Sequence, residues 1–149
     1  MFSNAKFGEK NAILGAINSA AVAAGTVVST WVPVRDFHSI AAILSIGTMG
    51  ASGTIDAKLR QATDSSGTGA KDVTGKAITQ IVKASGDNVQ ALLEVRGDEL
   101  DGANGFGFVA LSVTVGTATS QLAATLIGHN PRFAPASAAN PASVVQIVG

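Results

Sequence analysis

There is no cysteine among the 149 residues, so no disulfide framework, thiolate zinc site or thiol nucleophile can be built, and the redox compartment is left open. Charge is scarce as well. Asp, Glu, Lys and Arg make up 13% of the chain, about half of the roughly 25% found in an ordinary soluble domain. The ten basic and ten acidic residues cancel, so no global field draws the chain to nucleic acid or to an anionic membrane. A net charge near zero also gives little colloidal repulsion, which suits a protein that ends in an assembly. No apolar run reaches the roughly 18 residues of a membrane span.

The charges that are present are unevenly placed. Fourteen of the twenty lie between Asp56 and Asp101, while 11–34, 37–55, 102–131 and 133–149 carry none. The loops of a monomer are normally decorated with charge. Long neutral ends therefore point to surfaces that another chain covers.

The clearest structural pattern runs over 88–128. Val109, Leu111, Val113 and Val115 alternate with Ala110, Ser112 and Thr114, a period of two that presents one face of a strand. Similar runs at 88–96 and 121–128, separated by turns rich in Gly, Asn and Thr, predict a three-stranded antiparallel meander. Upstream, 26–34 is β-branched and aromatic, with Pro33 favouring a strand end. The nearly continuous apolar run 37–47 reads as a strand buried on both faces, although its length also permits a helix. Residues 53–63 alternate Ile55, Ala57 and Leu59 with Asp56, Lys58 and Arg60, the signature of a half-solvated strand. A polar loop at 64–72, a strand at 73–82, a turn at 85–88 and a short final strand at 143–148 complete the series.

About eight strands predict an all-β fold, a single antiparallel β-sandwich of jelly-roll type with extended arms. Residues 26–128 form the sandwich domain. Residues 1–25 read as an N-terminal arm or short helix anchored by Phe2 and Phe7, followed by loose Ala/Gly chain. Lys6 and Lys10 precede an Ala-rich run as in a secretory signal, but Glu9, Asn18 and Ser19 interrupt the pattern. Residues 129–149, with Pro131, Pro135 and Pro141, form a C-terminal arm with a final strand. That strand has two destinations, its own sheet or the edge of a neighbouring subunit.

Candidate chemistry is thin. Gly67-Thr68-Gly69-Ala70-Lys71 has the wrong glycine spacing for a phosphate loop, and Asp72 follows the lysine. Asp98, Glu99, Asp101 and Asn104 share a loop, but their spacing does not match a calcium loop and no closing bidentate Glu follows. His38 and His129 are the two histidines, with no nucleophile elbow for a Ser–His–Asp site. Trp31 and the six phenylalanines read as core or interface anchors rather than a base-stacking platform. We expect no enzyme, cofactor, metal, nucleic acid, membrane or small-molecule substrate.

Three stretches, IDAKLRQATDSSGTGAKDVTGK (55–76), VRGDELDGANGF (95–106) and RFAPASAANPASVVQIVG (132–149), resemble the head decoration (capsid cement) proteins of tailed bacteriophages. The resemblance covers most of the chain from about Thr26 and rests on sequence habits rather than catalytic motifs. It implies a β-rich jelly roll that forms homotrimers, sits on the outer surface of the capsid, binds the major capsid protein and links capsomers, in some members through exchanged arms. The expected interface residues are then Phe133, Val144, Val145 and Ile147 in the C-terminal arm. Phe2, Phe7, Ile13 and Leu14 in the N-terminal arm would serve trimer or capsid contact, with ordinary intramolecular packing as the competing account. Two other functions stay open: a head–tail connector or tail protein, and a glycan- or cell-surface-binding β-sandwich, for which Phe106 and Phe108 come nearest to a platform.

Overall fold

A computed structural model describes residues 4–149. A one-turn helix, α1 (Phe7–Lys10), leads into β1 (Asn11–Val22), β2 (Gly25–Val28), β3 (Val32–Pro33), β4 (Phe37–Met49) and β5 (Thr54–Ala62). After these come β6 (Lys71–Ala77), β7 (Ile81–Val82), α2 (Lys83–Gly86), β8 (Gln90–Arg96), β9 (Phe108–Gly116) and β10 (Ser120–Pro131), then a 3-10 turn at Ala136–Ala139. The first sheet has the order β1-β10-β4-β8 and the second β2-β9-β5-β6, with β3 also on β9 and β7 also on β5. Every pairing is antiparallel. Among the eight longer strands, each step along the chain crosses from one sheet to the other except β5 to β6. Two packed four-strand sheets in that order are a jelly roll.

This order corrects the expected meander. The strands β8, β9 and β10 lie in the first, second and first sheets, and β9 does not pair with β10. Val109, Leu111, Val113 and Val115 on β9 and Leu122, Ala124 and Leu126 on β10 are all buried in one core, which they close from opposite sides. A hairpin would set both apolar rows on one layer with nothing over them. A tight turn between two strands looks the same in sequence whether it makes a hairpin or a corner between sheets.

The arms are also corrected. Asn11–Val22, expected as loose Ala/Gly chain, is a 12-residue edge strand on β10. Register shifts between Ile13 and Gly15 and between Ile17 and Ala20 break its period of two, so its alternation is not visible in sequence. Residues 143–148, expected as a strand, form none; the Val144 N–H donates to the Pro141 carbonyl at 2.9 Å and closes a turn instead. The strand ending the sandwich runs on to Pro131, past the expected boundary at Gly128. The single strand expected at 26–34 is interrupted, because Ser29 Oγ accepts the Leu111 N–H at 2.9 Å where a strand carbonyl would.

Gly128 lies where three elements meet. A Cβ there would stand 2.7 Å from the Phe37 ring and 2.8 Å from Leu14 Cδ1. Neither neighbour has room to retreat, since Phe37 is buried and Leu14 packs on the core. Gly128→Ala is expected to cost about 1–3 kcal/mol through overpacking, read as a lower denaturation midpoint with an unchanged slope. No loss would mean that β1 and β4 are free to separate around β10.

Candidate interaction surface

The two outer faces of the sandwich differ in charge because the strands that form them differ in sequence. On the second sheet, β5 turns Asp56, Lys58 and Arg60 outward, and Arg60 lies opposite Asp72 of β6. Asp72 accepts from Lys58 Nζ at 2.7 Å and from Arg60 Nε at 3.2 Å. Gln80 Nε2 donates to Asp56 at 2.8 Å, and the Thr26 and Thr114 hydroxyls meet at 2.9 Å. That face is built for water.

The first sheet is the opposite. Its outer face carries Ile13, Ala41, Ile43, Leu92, Thr125 and Ile127, brought into rows by the registers Ile13↔Ile127↔Ala41↔Glu94 and Thr125↔Ile43↔Leu92. Ile43 is 39% and Leu92 60% exposed. Glu94, Arg96 and His129 appear only toward one end. The run 37–47 was expected to be buried on both faces; here Ile40, Ala42, Leu44 and Ile46 are buried while His38, Ile43 and Ser45 are exposed. The sequence of β4 is that of a strand covered on both sides, and this chain covers one.

The arms meet at the β1 edge of the same sheet. Asn140 Oδ1 accepts the Ile13 N–H at 2.9 Å, and Ala136 is buried in the core. A groove of about 370 Å³ is lined by Phe7, Ile13, Asn140, Val144, Ile147 and Val148, among others. Of the expected interface residues, Phe7 (64%), Phe133 (77%), Val145 (91%) and Ile147 (62%) are exposed. Val144 and Ile13 are half-buried. Leu14, at the first bulge of β1, packs against the core and does not join them. Phe2 lies outside the described residues. The sequence reading missed Val148, 88% exposed, and Ile43 and Leu92. The signal for the last two was the apolar residue at outward positions of β4 and β8, which only the register makes readable.

The features weighed as chemistry have structural partners. The Gly67–Lys71 stretch closes the β5–β6 hairpin, where a Cβ on Gly67, at φ +83°, would collide with the Trp31 indole nitrogen at 2.5 Å. Lys71 Nζ pairs with Asp101 and lies 4.1 Å from the Phe106 ring centroid. Asp101 also accepts from Asn104 Nδ2, and its own N–H donates to the Gln61 side chain. Glu99 pairs with Lys76 and Asp98 with Arg96. His38 is exposed on β4, and His129 Nδ1 lies 2.7 Å from Asn11 Oδ1. Phe106 and Phe108, the nearest to a sugar platform, are both half-buried, as is Trp31.

These carboxylates set an acid dependence. The Lys58 hydrogen bond lowers Asp72 from its ordinary value, with Arg60 adding to it; Lys83 and then the Met49 N–H lower Asp87. The Arg96 N–H and then Lys76 lower Glu99, and Lys71 and then Asn104 lower Asp101. A carboxyl that is more acidic when folded adds stability above its unfolded value and loses it as pH falls through the folded one. Thermal midpoints are expected to be flat above about pH 5 and to fall steadily below about pH 4. The pairs are largely exposed, so high salt is expected to shrink the difference. A midpoint that rises on acidification would contradict these pairings.

No family model and no curated protein matches the chain. Solved structures that resemble it include the cowpea mosaic virus empty virus-like particle, at 10% identity and TM-score 0.46 over 86% of this chain and 84% of that one. Triatoma virus resembles it at 11% identity and TM-score 0.48, over 88% and 68% of the two chains. The SPBc2 prophage-derived protein YomS does so at 10% identity and TM-score 0.43, over 79% and 93%. At these identities and scores the jelly-roll assignment rests on the strand order of the chain itself, not on them.

Proposed function

We propose that the chain is a structural protein of a virus particle, a decoration or cement protein that forms homotrimers on the outer surface of a bacteriophage head. There it binds the major capsid protein and ties capsomers together, without catalysis. The observation that carries this reading is the segregation of charge. One sandwich face is laced with ion pairs, while the other face and both arms offer Phe7, Ile43, Leu92, Phe133, Val145, Ile147 and Val148 to a partner. The resemblance of 55–76, 95–106 and 132–149 to cement proteins supports the same conclusion.

The mechanism is burial of apolar area, worth about 25 cal/mol per Å² before the cost of association. Three copies joined in one ring multiply weak contacts through effective concentration. Light scattering on the purified protein is expected to give three times the chain mass. Added to undecorated phage heads, it is expected to co-sediment and to raise the temperature at which the shell ruptures. A ring of five, six or twelve copies would reassign the protein to a connector or tail, and a monomer that leaves heads unbound would overturn the reading altogether.

A further inference from the structure

Four strands end the two sheets, and three of them are guarded against pairing. The edge of β1 is bulged twice and is engaged by Asn140 of its own chain. The edge strand β2 is four residues long. The pairing of β6 with β5 has a register shift, and β6 holds Lys71, Asp72 and Lys76 and a left-handed Gly75 at φ +75°. Short length, bulges and charge are the devices by which proteins keep edges from finding partners. The fourth edge, β8, is seven residues long without a bulge, and its charges, Glu94 and Arg96, lie toward one end. It pairs with β4 in seven consecutive, unbroken positions, and among the described residues no strand lies on its other side.

The polarity of that edge is readable. The Val89 carbonyl bonds to Ile46 of β4, while the Arg96 N–H turns away and donates to Glu99. By the alternation of an antiparallel ladder, Ala91, Leu93 and Val95 bond toward β4. Gln90, Leu92 and Glu94 then offer their N–H and C=O groups to an incoming strand. Beside them, between β8 and β6, a groove of about 280 Å³ is lined by Lys76, Ala77, Ile78, Leu92, Leu93 and Glu94, among others, an apolar floor with a charge of each sign at its rim.

The same chain carries a segment with the opposite need. Val145–Val148 is β-prone, uncharged and exposed, and it lies outside both sheets. It emerges at the β1 edge, three strand spacings from β8, about 14 Å across the sheet. A donor on one edge and an acceptor on the other make a head-to-tail contact, which closes into a ring when the rotation allows.

We propose that Val145–Val148 of one copy adds as a strand to Gln90–Glu94 of the next. One row of its side chains enters the β8–β6 groove and the other lies beside Leu92. Main-chain hydrogen bonds supply the affinity and the groove sets the register. This rests on the homo-oligomer proposed above and names the surface that receives the arm.

The absence of native cysteine makes the test direct. Leu92→Cys combined with Val145→Cys or with Val148→Cys, one from each row of the arm, in the full-length protein under mild oxidation, is expected to give a reducible ladder of two and three chains in one of the two pairings. Each single variant is expected to stay uncross-linked. A ladder from Leu92→Cys alone would show β8 meeting β8 and overturn the proposal. An intrachain bond in a double variant would return the arm to its own sheet and overturn it too. An intact oligomer with no cross-link in either double variant overturns this inference while leaving the proposed function standing. A wild-type protein that light scattering shows to be monomeric removes both.

Discussion

Removal of residues 143–149 is expected to leave the fold intact and to dissolve the oligomer. Val145 and Val148 are almost fully exposed, Ile147 is 62% exposed at the rim of the groove beside Phe7 and Ile13, and Val144 is half-buried. Their loss should shift stability by no more than about 0.5 kcal/mol, or roughly 1–2 °C in thermal midpoint. The oligomer is expected to fall to a monomer by light scattering. Removal of 132–149 is a different experiment. It also takes Ala136 out of the core and strips the Asn140 side chain from the Ile13 N–H, so a loss of about 2 kcal/mol or more is expected, with β1 fraying first. An unchanged oligomer after the short deletion would remove the C-terminal arm from the interface. An unchanged midpoint after the long one would mean that the Ala136–Ala139 turn does not hold β1.

The largest effect from one side chain is expected at Leu111. It is fully buried in the middle of β9, opposite Leu59 of β5. Its backbone is held independently of its side chain: its N–H goes to Ser29 Oγ and its carbonyl accepts the Ser29 N–H at 2.9 Å. Leu111→Ala should therefore act through the cavity alone, at about 3–4 kcal/mol, or roughly 10 °C in midpoint for a chain of this size. Chemical denaturation checks it. A loss below about 1 kcal/mol would mean that the two sheets close over the gap, and that the core is softer than its packing implies.

Where local pattern decides structure, the chain was readable. The alternation of Ile55, Ala57 and Leu59 with Asp56, Lys58 and Arg60 determined which side of β5 faces water, because a strand's period of two is a property of the backbone. The neutral stretches were equally plain, because charge is a property of residue type. Strands β1 and β10 show the limit. Twelve residues, four of them Ala, with two register shifts, have no readable period, and they become a strand because β10 lies beside them.

The candidate surface divides in the same way. Phe133, Val145 and Ile147 were legible as candidates because they are large apolar residues in a charge-free segment, and Phe7 as an aromatic near the N-terminus; the structure leaves all four exposed. Ile43 and Leu92 were not, since an apolar residue in an apolar strand looks like core until the register shows which way it turns. Leu14 sits at a register shift of β1 that the sequence does not show, and it is half-buried against the core.

By itself, then, the sequence determined that this is an all-β chain without thiol chemistry, with most of its charge between Asp56 and Asp101 and none in 11–34 or 133–149. Those are consequences of residue type and short-range periodicity. The tertiary structure alone decided that neighbouring strands go to opposite sheets, that one sheet face is uncovered, and that β8 is left as the unguarded edge. Each of those depends on which distant segments pair, and a backbone hydrogen bond carries no record of its partner in the local sequence.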